Sequence, residues 1–121
     1  MKYSDAMRLG AMLRPQAFGV GFDGVGTCAN AAAMEAIGRG PYCEVDDEYI
    51  WDCLLESVHL ARCPMSGCHF FATEQPLYVI AVHLNDNHKE TRERIADFVE
   101  QVEREREAKA EAASEAPCVT A

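Results

Sequence analysis

Between residues 63 and 88 the chain places two cysteines and two histidines at spacings that allow all four side chains to converge on one point. Cys63 and Cys68 are separated by four residues, His83 follows after fourteen more, and His88 after a further four. Two thiolates and two imidazoles form a closed tetrahedral donor set, and short spacings within each pair let one turn and one helix end supply them. Gly67 stands just before Cys68, where a knuckle turn needs positive φ so that backbone N–H groups can point at sulfur. The cysteines are better explained by metal than by disulfides. Asp5 and Arg8 interrupt the first apolar run, so no secretory core is expected, and the chain reads as cytoplasmic, where thiols stay reduced. The longest apolar run, Leu77 to Val82, falls far short of the ~20 residues a membrane helix needs.

With its C-x4-C-x14-H-x4-H pattern, the segment resembles a Cys2His2 zinc finger, the resemblance covering 26 of the 121 residues. It implies Zn2+ as cofactor, held structurally by Cys63, Cys68, His83 and His88. Phe71 and Ile80 match, to within one position, the two hydrophobes of a finger's small core, and Gln75-Pro76 suits the start of the ligand-bearing helix. The central spacer has two more residues than the common twelve. His83 and His88 are also five apart, so a regular helix would splay them by ~140°. The helix must therefore distort or end between them, with Asn85 and Asn87 as places for that ending. His59 and His69 are nearby substitutes for a ligand. Residues 83–100 are also similar to the ends of small uncharacterised bacterial and phage-type proteins, which carry no known activity.

Around this motif the periodicity is helical, and the expected fold is mostly α: a small helical domain with one zinc-finger-like insert and a long C-terminal helix. Residues 1–60 form its helical N-terminal part, 61–90 the insert, 91–113 the C-terminal helix and 114–121 a disordered tail. Ser4 or Asp5 is expected to cap a first helix running to about Leu13, with Ala6, Leu9, Gly10 and Leu13 on its buried face. Thr27 is expected to cap a second, Cys28 to Ile37, whose alanine face permits close packing, with Gly38 as its left-handed terminator. Asp46 opens a third through about Leu60, burying Tyr49, Ile50, Cys53, Leu54 and Val58. From Thr91 the last helix carries one apolar stripe, Ile95, Phe98, Val99 and Val102. Beyond Val102 it is polar, with Glu100–Arg104 and Glu105–Lys109 as i,i+4 pairs.

Charge narrows the function. The net charge is -9, and residues 1–60, 61–90 and 91–121 each carry more acidic than basic side chains. Phosphate-neutralising surfaces need the reverse, so nucleic acid and anionic membranes are poor partners. No Lys or Arg lies between Cys68 and His83, where a finger reads bases. The glycines Gly19, Gly21 and Gly24 spell G-x-G-x-x-G, but no strand precedes them and no βαβ unit follows, so the loop is expected to be a tightly turned connector. Cys28 at a helix N-terminus has the setting of an activated thiol, with only His59 or His69 left as a base; the expectation is a buried small residue. Cys43, Cys53 and Cys118 have no partners at ligand spacing. TRERIADFV is similar to the first helix of a helix-turn-helix, whose turn and recognition helix are missing.

The reading that follows is a non-enzymatic zinc-binding protein acting as a protein–protein interaction module through a protein partner. A nucleic-acid-binding regulator using the finger with Arg92, Arg94, Arg104 and Arg106 is the alternative. A thiol enzyme built on Cys28 is the third.

Overall fold

The computed structural model describes residues 1–41, 59–69 and 73–115. Phe71, Cys43, Cys53, Cys118, the expected third helix up to residue 58 and the tail from 116 lie outside the described residues. Among those described, four helices and one two-stranded sheet make up the fold: α1 (Tyr3–Ala11), α2 (Ala29–Ala36), β1 (Leu60–Ala61), β2 (Gln75–Pro76), α3 (Leu77–Asp86) and α4 (Arg92–Glu115). The mostly α expectation holds. No helix among the described residues is long and apolar enough to cross a membrane.

α1 packs on α2 and α4, and α3 packs on α2 and α4, around one shared core. That core contains Tyr3, Met7, Met34, Leu77, Ile80, Leu84, Ile95 and Val99. The expected stripe on α4 is in place, with Ile95 and Val99 fully buried and Phe98 and Val102 packed against them. α1 is rotated from the expected register. Tyr3, Ser4, Ala6, Met7 and Gly10 face inward, while Leu9 and Leu13 are 46% and 57% exposed. The reason is Gly10. A Cβ there would sit 1.8 Å from the carbonyl oxygen of Ala32, so the two helices meet backbone to backbone along small residues, and the leucines point away.

Helix ends are satisfied by long-range partners as much as by local ones. Neither Ser4 nor Asp5 caps α1; its N-cap position is Lys2, without a side-chain bond. Instead the buried carboxylate of Glu103, on α4, accepts from the Ser4 N–H at 3.3 Å and from the Ser4 hydroxyl. A carboxylate there also meets the positive end of the helix dipole. Thr27 does not cap α2; Cys28 does, its sulfur accepting from the Ala31 N–H at 3.4 Å. Gly38 ends α2 as expected, at φ +84. Its N–H bonds the Glu35 carbonyl and the Arg39 N–H bonds that of Met34, a Schellman pair. Thr91 caps α4 through the Arg94 N–H at 3.2 Å.

The loop between α1 and α2 is a tight connector. Ala17 and Thr27 pair through the Ala17 N–H, Thr27 donates to the Pro15 carbonyl, and Cys28 donates to that of Gly21. Asp23 accepts from the N–H groups of Val25 and Gly26, which holds its carboxyl below the usual value.

Candidate metal centre

The two short strands deliver the cysteines. β1 pairs antiparallel with β2, Leu60 opposite Pro76 and Ala61 opposite Gln75, and Leu77 extends the pairing by donating to the His59 carbonyl at 2.8 Å. Gln75-Pro76 is thus strand, with Pro76 as N-cap of α3, and not the first helical turn. Leu60 lies in β1 and does not end a helix. Between the strands, Gly67 adopts φ +79 and the Met65 N–H donates to the sulfur of Cys63. This is the knuckle expected from Gly67.

The histidines come from the end of α3. The helix stops at Asp86 with Asn87 as C-cap, between the two histidines as their spacing requires. Lys89 then takes a left-handed φ of +54, and Glu90 donates to the Leu84 carbonyl at 3.0 Å. That turn carries His88 back over His83. Asn87 takes part by bonding the His83 ring. Asn85 does something else. Fully buried, it accepts from Gln16 at 2.8 Å and from the Ala29 N–H at 3.1 Å, and donates to the Ala17 carbonyl and to Asp86.

Cys63, Cys68, His83 and His88 consequently meet, with one donor atom from each within 4.8 Å of all the others. The Cys68 sulfur lies 3.0 Å from His83 Nε2, the Cys63 sulfur 3.5 Å from His88 Nε2, and the two Nε2 atoms are 3.0 Å apart. A tetrahedral zinc with Zn–S near 2.3 Å and Zn–N near 2.0–2.1 Å sets sulfur and nitrogen about 3.5 Å apart and two nitrogens about 3.3 Å apart. The three observed edges fall within about half an ångström of those values, so the donor set fits a tetrahedral ion. Cys63 and His83 are buried, while Cys68 and His88 are half-buried and form the solvent side.

Burial dominates the electrostatics of the site. Burial, and after it the neighbouring Cys68, raises the Cys63 thiol above its ordinary value, against the Met65 N–H. Burial, followed by the adjacent His88, lowers the His83 imidazole. The lowering favours the neutral imidazole, which has a lone pair to donate, and a divalent cation would draw the thiols into thiolates.

The other histidines are not among the four converging donors. The His69 ring is exposed and edge-on to His83, with centroids 6.2 Å apart. His59 lines a cleft with Lys2, Glu103, Arg106 and Glu107. Ile80, expected in a separate finger core, is buried in the shared core of the molecule together with Cys63, Leu77 and Leu84. The segment is part of the domain and joins its N- and C-terminal helices.

Of three residues assigned to other functions, Arg92 and Cys28 are buried and Arg104 is exposed. Arg92 donates to the Thr27 hydroxyl at 2.9 Å and to the carbonyls of Thr27, Arg14 and Ala11. Arg104 pairs with Glu100, as its i,i+4 spacing suggests. Cys28 is 3% exposed and occupied as a helix cap.

Comparison with protein-family models, curated proteins and solved structures finds no match to the chain. The likeness to a Cys2His2 finger, and that of residues 83–100 to small bacterial and phage-type proteins, therefore rests on the residues themselves.

Proposed function

We propose that this chain is a non-enzymatic zinc-binding protein of the cytoplasm, in which Cys63, Cys68, His83 and His88 hold one structural Zn2+ and the helical surface acts as a protein–protein interaction module. The convergence of the four donor atoms within 4.8 Å carries the reading. Four protein ligands leave no open position for substrate, which is the signature of a structural site and not of a catalytic one. The buried Cys63 and His83 tie the centre into the common core, so metal binding energy becomes folding energy. The interaction role follows from the acidic surface, with a net charge of -9, which suits a protein partner and repels nucleic acid.

Elemental analysis of protein purified without added metal should find about one zinc per chain, as a closed four-ligand site requires. Cobalt substitution should give the intense visible bands of a tetrahedral thiolate site. Cys63→Ser and Cys68→Ser should each remove the metal and the cobalt bands. Zinc retained at full stoichiometry in both variants would remove the basis of the assignment.

A further inference from the structure

The C-terminal end of α1 and the turn that follows it expose apolar side chains where a surface is ordinarily polar. Leu9, Met12 and Leu13, at i, i+3 and i+4 spacing, are 46%, 83% and 57% exposed, while the opposite face of the same helix is buried. Exposed apolar side chains grouped at one helix end mark a surface for interaction. Beside Met12, between α1 and α4, lies a cleft of about 290 Å³ lined by Arg8, Ala11, Met12, Glu93 and Asp97. Its charge is one-sided. The Arg8 guanidinium is engaged by Asp97 at 2.7 Å and Glu100 at 2.6 Å, and Glu100 is also paired with Arg104, so the cleft's own lining sets two carboxylates, Glu93 and Asp97, against Arg8 alone. The Asp97 side chain remains 73% exposed, and Asp5 lies one turn before Leu9 on the exposed side of α1.

We infer that this face of α1, with the acidic cleft beside it, docks a basic amphipathic helix of a partner protein. This rests on the interaction-module reading and names the surface that performs it. Apolar anchors of the incoming helix at i, i+3 and i+4 cover Leu9, Met12 and Leu13, and its flanking Lys or Arg reaches Glu93 and Asp97. A second copy of this chain is the poorer occupant, because each copy brings a net charge of -9 and the same acidic rim. An anionic membrane is disfavoured for the same reason.

The test uses the zinc-loaded full chain and a labelled synthetic helix of about 18 residues repeating Leu-Lys-Lys-Leu, beside its Leu-Glu-Glu-Leu counterpart, in fluorescence anisotropy at about 0.15 M salt. The basic peptide should bind and the acidic one should not. Leu9→Ser with Met12→Ser preserves every charge, and it should weaken binding by at least about tenfold, as loss of central apolar anchors does. Glu93→Gln with Asp97→Asn should weaken it less, about threefold to fivefold, and flatten its salt dependence. These residues are exposed, so folding should survive. Should the double serine variant fold poorly, Leu13→Ser alone should still weaken binding several-fold.

Equal affinity in the serine variants would mean bulk charge attraction and would overturn the proposal. So would binding of both peptides alike, a dimer by light scattering that the serine variant dissolves, or capture by anionic vesicles in preference to the peptide. Zinc content measured on the same samples separates the two ideas: failed docking with full zinc rejects only this surface, whereas lost zinc rejects the metal reading.

Discussion

Gly10→Ala sets intrinsic helix preference directly against packing. Glycine to alanine in a helix interior is favourable by about 1 kcal/mol, and on propensity alone the variant should be more stable. The structure reverses the sign. The added carbon would lie 1.8 Å from the Ala32 oxygen, 2.3 Å from its carbonyl carbon and 2.8 Å from its Cα, whereas real Cβ contacts essentially never fall below 3.0 Å. The obstacle is backbone, so no rotamer change relieves it. α1 and α2 must part by at least about 1.2 Å, and a gap of even 0.5–1 Å forfeits a quarter to a half of each dispersion contact along the seam. Overpacking of this kind costs about 1–3 kcal/mol and occasionally more. Because the obstacle is backbone the upper end of that cost applies, and set against the propensity gain a net loss of about 2 kcal/mol is expected. Urea unfolding of zinc-saturated protein should show a lower midpoint with unchanged slope. Ala32→Gly should not rescue the variant, because the clashing atoms belong to the Ala32 main chain. A Gly10→Ala protein as stable as wild type or more so, or one restored by Ala32→Gly, would refute a backbone-to-backbone seam.

Asn85→Ala removes a buried side chain that satisfies four groups from three parts of the chain. At about 1–3 kcal/mol per orphaned buried group, a loss of at least about 3 kcal/mol is expected in urea unfolding, with zinc stoichiometry retained in the folded fraction. Cys28 should react with alkylating reagents far more slowly in the folded protein than after unfolding, by mass mapping. Cys28→Ala should cost about 0.5–2 kcal/mol through its lost cap, and rapid labelling that slows when His59 or His69 is mutated would instead indicate a nucleophile. Duplex DNA or RNA at physiological salt should bind no tighter than ~10⁻⁴ M, and Arg92→Lys should lower thermal stability without altering that affinity. A submicromolar, sequence-selective complex would favour a regulator.

What was legible in the sequence was local. The spacing within the cysteine pair and within the histidine pair, the knuckle glycine, the terminator Gly38 and the α4 stripe each depend on residues within a few turns of one another, and each is where the pattern put it. Side chains that act across the chain left no such signal. Glu103 lies in a stretch of α4 that is polar on every side, and its burial becomes intelligible only once α1 ends against it. Arg92 looked like a surface cation because nothing local shows that the carbonyls of Ala11, Arg14 and Thr27 and the Thr27 hydroxyl await it. Burial lowers its pKa, with the nearby Cys28 sulfur acting against that, yet a guanidinium stays charged in any protein setting. The misjudged face of α1 has the same origin. Leu9 and Leu13 have the apolar spacing of a core stripe, and only the close approach of Ala32 to Gly10 decides that they turn outward.

The segment from 83 to 92 carries both kinds of information. His83 and His88 point to the metal centre, while Asn85, Asp86, the Glu90 carbonyl and Arg92 hold the loop between α1 and α2 through Gln16, Ala17, Gly19 and Thr27. Lys89, whose left-handed φ turns His88 back toward His83, also sets its ammonium 5.0 Å from the Phe18 ring centroid. One short turn thus fixes ligand geometry on one side and loop geometry on the other. A metal ion that orders this turn orders the loop with it, because the same backbone supplies both sets of contacts. His83 and His88 act on the loop through that shared backbone, whereas Cys63 and Cys68 reach the core from the turn between β1 and β2.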